Sequence, residues 1–361
     1  MSKRSHPRRK DTVLSETNVR CDPRSLAIVK ANQPETRPVW SGKLSSEIVD
    51  RMNLINREID RHLLANSGEP PILYEAAYHL IRAGGKRLRS LLILLSCEAV
   101  GGKIEEVLPI TVAAELIQTA SLIRDDMMDC DDYRRGVETV HKKYGNNLAL
   151  LAADLLIAQG VWMVGQYGTT ELLRHVGAAG VDMCEGEALD VLTEKKADED
   201  LSLERYIDTV KRKTVAFIDA STKIGSMTGK GTEAQQEVLG QYAESLGIAF
   251  QIRDDVMDIT SSREVTGKSV RSDLRWIRSN YPLIVALESC SRERRTECLD
   301  ALSKGSIDCA LDLIRETGAI EAAMKTAEDY VQSAKVALQR ERFPNQSLLE
   351  ELADSVLQRD Y

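Results

Sequence analysis

An apolar helix that runs straight into a cluster of aspartates constrains this chain more than any other feature. Residues Glu115–His141 read ELIQTASLIRDDMMDCDDYRRGVETVH, with Asp125, Asp126, Asp129, Asp131 and Asp132 close together. Helical positions four apart share a face, so Asp125 and Asp129 point together, with Gln118, Ser121 and Leu122 in line behind them. Two carboxylates one turn apart repel each other unless a cation neutralises them. A hard divalent ion such as Mg2+ suits them when substrate phosphates complete its shell. Arg134 and Arg135 follow and read as clamps on phosphate oxygens. A single short acidic motif is ordinarily a solvated helix end. Here the preceding run, AAELIQTASLI, is apolar, and a second copy exists: FQIRDDVMD sets Asp254, Asp255 and Asp258 at the same spacing after LGIAF. Two acidic ends on apolar helices are hard to explain as solvation.

The remaining composition favours helices. Leu, Ala, Glu and Arg dominate, and strand-type alternation is rare. The length of 361 residues would allow two domains, but the two acidic motifs are far apart in sequence and have to meet. Residues 46–361 therefore read as one catalytic domain. Residues 1–45 are polar, proline-bearing and basic, a tail expected to be disordered. The tail holds ten Lys/Arg against four Asp/Glu, so the net charge of −8 becomes −14 over the rest of the chain. An acidic body argues against a nucleic-acid partner. Seven cysteines without CxxC spacing argue against zinc and a disulfide framework, and fit a reducing, cytoplasm-like compartment. No apolar run reads as long enough to span a bilayer, and no signal-peptide core follows the basic start; organelle targeting by the Arg-rich tail is the lesser alternative.

Punctuation along the chain places the other candidates. Ser45 and Ser46 precede Ile48, Met52, Ile55, Ile59 and Leu63, a helix with a serine N-cap. Pro70-Pro71 precede a helix to about Ala83. Gly84-Gly85 end it, and Lys86–Val100 reads as the next, with Lys86 and Arg89 in its first turn, either a basic surface turn or an anion site at the helix N-terminus. Asn147 to about Val164 is so apolar that it reads as buried on all sides. The helix from about Glu171 to Glu194 carries Glu187 and Asp190, with Glu187 either in the cavity or a surface acid. Lys213 and Thr214 fall inside an apolar helical pattern, Leu203–Met227, where a lysine either snorkels or meets a buried anion; Lys211 reads as solvated. Glu233–Asp258 carries the second acidic motif, with Gln251 and Asp254 projecting alongside Asp258.

GGKRLR at Gly84–Arg89, DDMMD with its RRG, Lys213-Thr214, FQIRDDVMD, Gly267-Lys268 and SDLR at Ser272–Arg275 occur in the order and spacing of one known family. The chain resembles a trans-type isoprenyl diphosphate synthase, a polyprenyl synthetase, over about residues 46 to 361. The resemblance implies the all-α isoprenoid synthase fold, about ten or more helices around a central cavity. It implies Mg2+, three ions per site, held by Asp125, Asp126, Asp129, Asp254, Asp255 and Asp258. Isopentenyl diphosphate would be held by Lys86, Arg89, Gln118 and Arg135. An allylic diphosphate would meet Arg134, Lys213, Thr214, Gln251, Lys268 and Arg278. Asp125, Asp129, Asp254, Lys213 and Arg134 would carry the chemistry, and a homodimer is implied.

The sequence departs from the family's pattern in three places. Ser90 stands where proline is usual, Glu187 where GQ-x-x-D has glutamine, and Arg271 with Trp276-Ile277-Arg278 where glycines usually flank SDLR. Small residues at Ala120 and Ser121, the floor positions before the first motif, imply products of C20 or longer. Ile117, Leu116 and the helix containing Leu148–Trp162 are candidate lower plugs. A terpene cyclase on the same scaffold and a non-catalytic subunit of a heteromeric synthase are the rival readings. Both usually lose part of a motif that this sequence keeps.

Overall fold

A computed structural model of the chain describes residues 44–193, 201–260, 274 and 279–358. Lys268, Arg278 and, apart from Leu274, the departing loop Arg271–Arg278 lie outside the described residues, as does the basic tail to residue 43.

The expected all-α architecture is what is seen. In chain order the α-helices are α1 (Ser46–Ala65), α2 (Pro71–Arg82), α3 (Leu88–Ala99), α4 (Ile104–Met128), α5 (Val140–Tyr144), α6 (Asn146–Tyr167), α7 (Thr170–Thr193), α8 (Leu203–Val210), α9 (Ala216–Thr228), α10 (Glu233–Thr260), α11 (Tyr281–Ser289), α12 (Arg292–Ser303), α13 (Asp308–Thr317), α14 (Ala319–Leu338) and α15 (Gln346–Leu357). One small antiparallel ribbon, β1 (Tyr133–Arg134) with β2 (Val137–Glu138), follows the first aspartate motif, Tyr133 opposite Glu138. Ser45 caps α1 as expected, its Oγ accepting from the Ile48 amide.

The long helices organise the bundle. α4 packs along α6 and α3, α9 along α3, and α10 along α14. α10 belongs to two hydrophobic cores at once. Its Leu239, Tyr242, Ala243 and Leu246 join one with α1–α6, and its Ile252, Val256 and Ile259 join a second with α11–α14. That shared burial fixes the end of α10, where the second aspartate motif sits, against both halves.

The structure corrects several boundaries. α3 begins at Leu88, so Lys86 stands in the loop before the helix and not in its first turn. The segment read as one helix from Leu203 divides into α8, a π-helical turn Lys211–Val215, and α9. The apolar helix α6 is not buried on all sides. Leu150 is 48%, Leu151 54% and Trp162 58% exposed. By length and hydropathy alone α4 and α6 would cross a membrane, against the expectation that no run is long enough. Buried core helices meet the same criterion, and α4 is mostly covered by its neighbours.

Candidate active site

The first acidic motif occupies the last turn of α4. Asp125 and Asp126 lie in that turn, and Asp129 caps the helix by donating its amide to the Asp125 carbonyl at 2.8 Å. The ribbon then folds back. Arg135 (φ 55°) and Gly136 (φ 76°) form its turn in left-handed conformations, and this returns Arg134 onto the helix end. Arg134 Nε bonds Asp126 Oδ1, and its Nη2 lies 3.7 Å from Asp131 Oδ2. Asp126 is fully buried, and among the described residues its second oxygen has no hydrogen-bond partner. Burial pushes the Asp126 carboxyl up to about 6 despite Arg134. Burial, with the charge of Glu187 nearby, pushes Asp125 up to about 7.

The π turn Lys211–Val215 stands between the two acidic motifs. Lys213 Nζ lies 2.6 Å from Asp190 Oδ2 and 2.8 Å from Glu187 Oε2, both on α7. Its charge also reaches Asp125. Burial opposes that charge, but Asp190, Glu187 and Asp125 outweigh it and hold the ammonium protonated well past its ordinary range. Thr214, the next residue, donates from Oγ1 to Gln251 Oε1 at 2.8 Å. Gln251 Nε2 donates to Asp255 Oδ1 at 2.9 Å, and Asp255 Oδ2 accepts the Tyr281 amide at 2.9 Å. Burial pushes Asp255 up to about 7 against these donors. A π turn holds an extra residue in the same length of helix, which lets neighbours 213 and 214 serve α7 and α10. Gly186 makes the approach possible: a Cβ there would lie 2.4 Å from the Lys213 backbone nitrogen.

Glu187, a cavity or a surface acid on sequence grounds, is half-buried and tied to Lys213. Among the described residues its Oε1 has no hydrogen-bond partner. Lys211 behaves as expected, half-exposed and 2.6 Å from Glu244.

The remaining candidates surround the start of α3. Lys86 and Arg89 are half-buried, and the Arg89 guanidinium lies over the Phe217 ring, 4.9 Å from its centroid. Arg135, expected at the same substrate, spends its Nη1 on the carbonyls of Leu80 (2.8 Å) and Gly84. Gln118 is half-buried, and its Oε1 has no hydrogen-bond partner among the described residues. Ser121 Oγ turns back to the Gln118 carbonyl at 2.9 Å. Ala120 is fully buried, and Ile117 packs where a side chain on Gly160 of α6 would be, 2.7 Å from that Cβ position. Sequence reasoning missed Arg87, Glu115 and the Asn280–Tyr281 cap over Asp255; a lone glutamate within AAELIQ was the one available signal.

These carboxylates fit a hard cation. They are oxygen donors, several are buried, and burial disfavours their charged form until a positive charge arrives. Among the described residues no three of them converge closely enough to hold an ion by themselves. Mg2+ commonly takes one or two carboxylates and completes its shell with substrate phosphates and water.

Buried carboxylates and cations carried on packed helices make this an all-α protein with an acidic site suited to a hard cation. The chain belongs to the polyprenyl synthetase family: the family's profile matches residues 70–313. It is 35% identical over 325 residues to a short chain isoprenyl diphosphate synthase of Methanothermobacter thermautotrophicus, covering 87% of this chain and 99% of that one. It is equally 35% identical over 334 residues to the geranylgeranyl diphosphate synthase of Methanosarcina mazei, covering 88% and 98%. The polyprenyl synthase of Caulobacter crescentus, solved with calcium and isoprenyl diphosphate, superposes with a TM-score of 0.78 at 28% identity, covering 90% of this chain and 100% of that one. The chain is a prenyltransferase.

Proposed function

We propose that this enzyme condenses isopentenyl diphosphate with an allylic diphosphate and extends it to all-trans products of C20 or longer. The observation that carries the reading is the π turn, whose Lys213 brings its charge to Asp125 of the first aspartate motif while Thr214 bonds through Gln251 to Asp255 of the second. Asp125, Asp126 and Asp129 on α4, with Asp254, Asp255 and Asp258 on α10, are the carboxylates assigned to Mg2+, three ions per site. Bound Mg2+ neutralises the charge that builds on a departing diphosphate.

The chain's own residues do the rest. Lys213 and Arg134 hold fixed positive charge beside Asp125, where the allylic C1–O bond breaks. Lys268 and Arg278 are assigned to the same diphosphate. Thr214 and Gln251 orient Asp255. Lys86, Arg89, Gln118 and Arg135 are assigned to isopentenyl diphosphate, Arg135 by bracing the loop. The isopentenyl double bond attacks the allylic cation, and the resulting cation loses a proton to the departing diphosphate. The apolar walls of α4 and α6 exclude water that would quench the cation.

Product length follows from the depth below Asp125. Alanine at position 120 presents a small floor, and Ile117 packs into the room that Gly160 leaves. The exposed apolar face of α6 is assigned to a homodimer interface, and residues 1–45 to a tail outside the catalytic domain. The enzyme is assigned to the cytoplasm.

The test is incubation of purified enzyme with Mg2+, isopentenyl diphosphate and farnesyl diphosphate, followed by separation of products by length. Geranylgeranyl or longer diphosphates are expected, and none from Asp125→Ala. No elongation of farnesyl diphosphate would sink the reading.

A further inference from the structure

Arg87 lies between the two members of the anion anchor but is engaged beneath it. It caps α3 in the left-handed region, φ 53° and ψ 26°, which an arginine adopts only when its surroundings enforce it. Three elements do so. Nε donates to Asn56 Oδ1 of α1 at 3.0 Å, Nη1 to Glu115 Oε2 of α4 at 2.7 Å, and Nη2 to the Ile81 carbonyl of α2 at 3.3 Å. Arg87 is 5% exposed and Glu115 4%.

Glu115 is held in turn. The Ser90 hydroxyl, fully buried, lies 2.8 Å from Glu115 Oε1 and 3.0 Å from the Thr111 carbonyl. The charge of Arg135 also acts on Glu115. One buried carboxylate is thus the counter-charge of two guanidiniums. Both guanidiniums grip the backbone that presents Lys86: Arg87 through Ile81, and Arg135 through Leu80 and Gly84.

We propose that Ser90 and Glu115 are positioning residues for the isopentenyl diphosphate site, acting through Arg87 and Arg135 to fix the loop that carries Lys86 and Arg89. The proposal rests on the reading of Lys86 and Arg89 as that diphosphate's anchor. Like charges gathered for a diphosphate repel one another in its absence, so the anchor holds its shape only with a counter-charge that does not compete for the ligand. Glu115 supplies it from behind the loop. A preformed pair of cations binds without the cost of ordering the loop. Serine at position 90, where the family pattern has proline, contributes a donor that a proline ring lacks.

The test compares Ser90→Ala, which removes one hydrogen bond and no charge, with Glu115→Gln, which keeps the shape and removes the charge. Binding of isopentenyl diphosphate to the metal-free enzyme isolates the all-cation anchor from the aspartates. We expect its Kd to rise roughly fivefold in Ser90→Ala and roughly tenfold or more in Glu115→Gln. KM for isopentenyl diphosphate should follow, while kcat and KM for the allylic diphosphate move less than about twofold. Thermal unfolding of each variant reports the fold, and Ser90→Ala carries the test if Glu115→Gln does not fold. A lowered Tm in Ser90→Ala with unchanged Kd and KM, or both KM values rising together, overturns the proposal. Arg89→Ala separates the two layers. Weakened binding there with none in Ser90→Ala overturns the positioning role alone, and unchanged binding in Arg89→Ala overturns the anchor and the proposal together.

Discussion

Lys213 Nζ stands 2.6 Å from Asp190 Oδ2, on a turn whose next residue bonds toward the opposite acidic motif. The lysine therefore holds two acids of α7 and lends its charge to Asp125. We expect Lys213→Ala to lower kcat about 10²- to 10³-fold, the usual cost of a fixed charge aimed at a developing anion. It should also destabilise the fold, because Glu187 and Asp190 lose their partner in a buried setting. Steady-state kinetics and calorimetry on one preparation check both.

Gly186 and Gly180, both on α7, should respond in opposite ways to alanine. A Cβ at Gly186 meets the Lys213 nitrogen at 2.4 Å, whereas one at Gly180 meets nothing within 4 Å. Gly186→Ala should cost about 1–3 kcal/mol through overpacking and reduce activity by displacing Lys213. Gly180→Ala should stabilise by about 0.5–1 kcal/mol, the ordinary helix gain. Urea unfolding distinguishes them.

The metal-free enzyme should lose stability as pH rises. Asp126 is raised to about 6 and Asp125 and Asp255 to about 7 by burial, above the unfolded value near 4. Between roughly pH 4 and pH 7 the folded chain therefore binds more protons than the unfolded one, so these groups contribute less stability at each step upward. Mg2+ with diphosphate should reverse the trend. Asp125→Asn should raise the Tm of the metal-free protein at pH 7.5 while abolishing turnover; thermal scans with and without Mg2+ and pyrophosphate test this.

Leu151 and Trp162 project from α6 with 54% and 58% of their surface exposed. Replacing each by glutamate should leave folding intact, because neither is buried within its own chain. With the proposed homodimer seated on α6, the wild type should sediment as a dimer and the double variant as a monomer. Analytical ultracentrifugation with circular dichroism gives the answer.

Ala120 is fully buried below the first motif. Ala120→Phe should shift the product toward C15, and chromatography of the dephosphorylated alcohols reads the shift directly.

Much of the site was legible before any coordinates. The helical period alone set Asp125 beside Asp129 and pointed to buried helices ahead of both motifs. Glu187 stayed ambiguous because its partner, Lys213, is remote in sequence and nothing local announces an ion pair. The π turn was invisible because its register change has no residue signature; Val210–Phe217 reads as ordinary helix. α6 was misread for a different reason. Uniform apolarity says that a face avoids water, and does not say whether its own chain covers it. Lys86 was placed in a helix because an arginine in left-handed conformation is rare, and only the bonds from Asn56 and Glu115 make it stable here.

The π turn at Lys211–Val215 also defines a genetic vulnerability. A π turn is an α-helix carrying one surplus residue, so its smallest lesion is a single-codon deletion and not a substitution. Removing Lys211, Arg212 or Val215 would let α8 and α9 fuse into a regular helix. The flanks would keep their relation, because the turn absorbs its surplus residue, and only the residues within the turn would change the direction in which they project. Lys213 and Thr214 could no longer address α7 and α10 together, although every charged residue of the site would still be encoded.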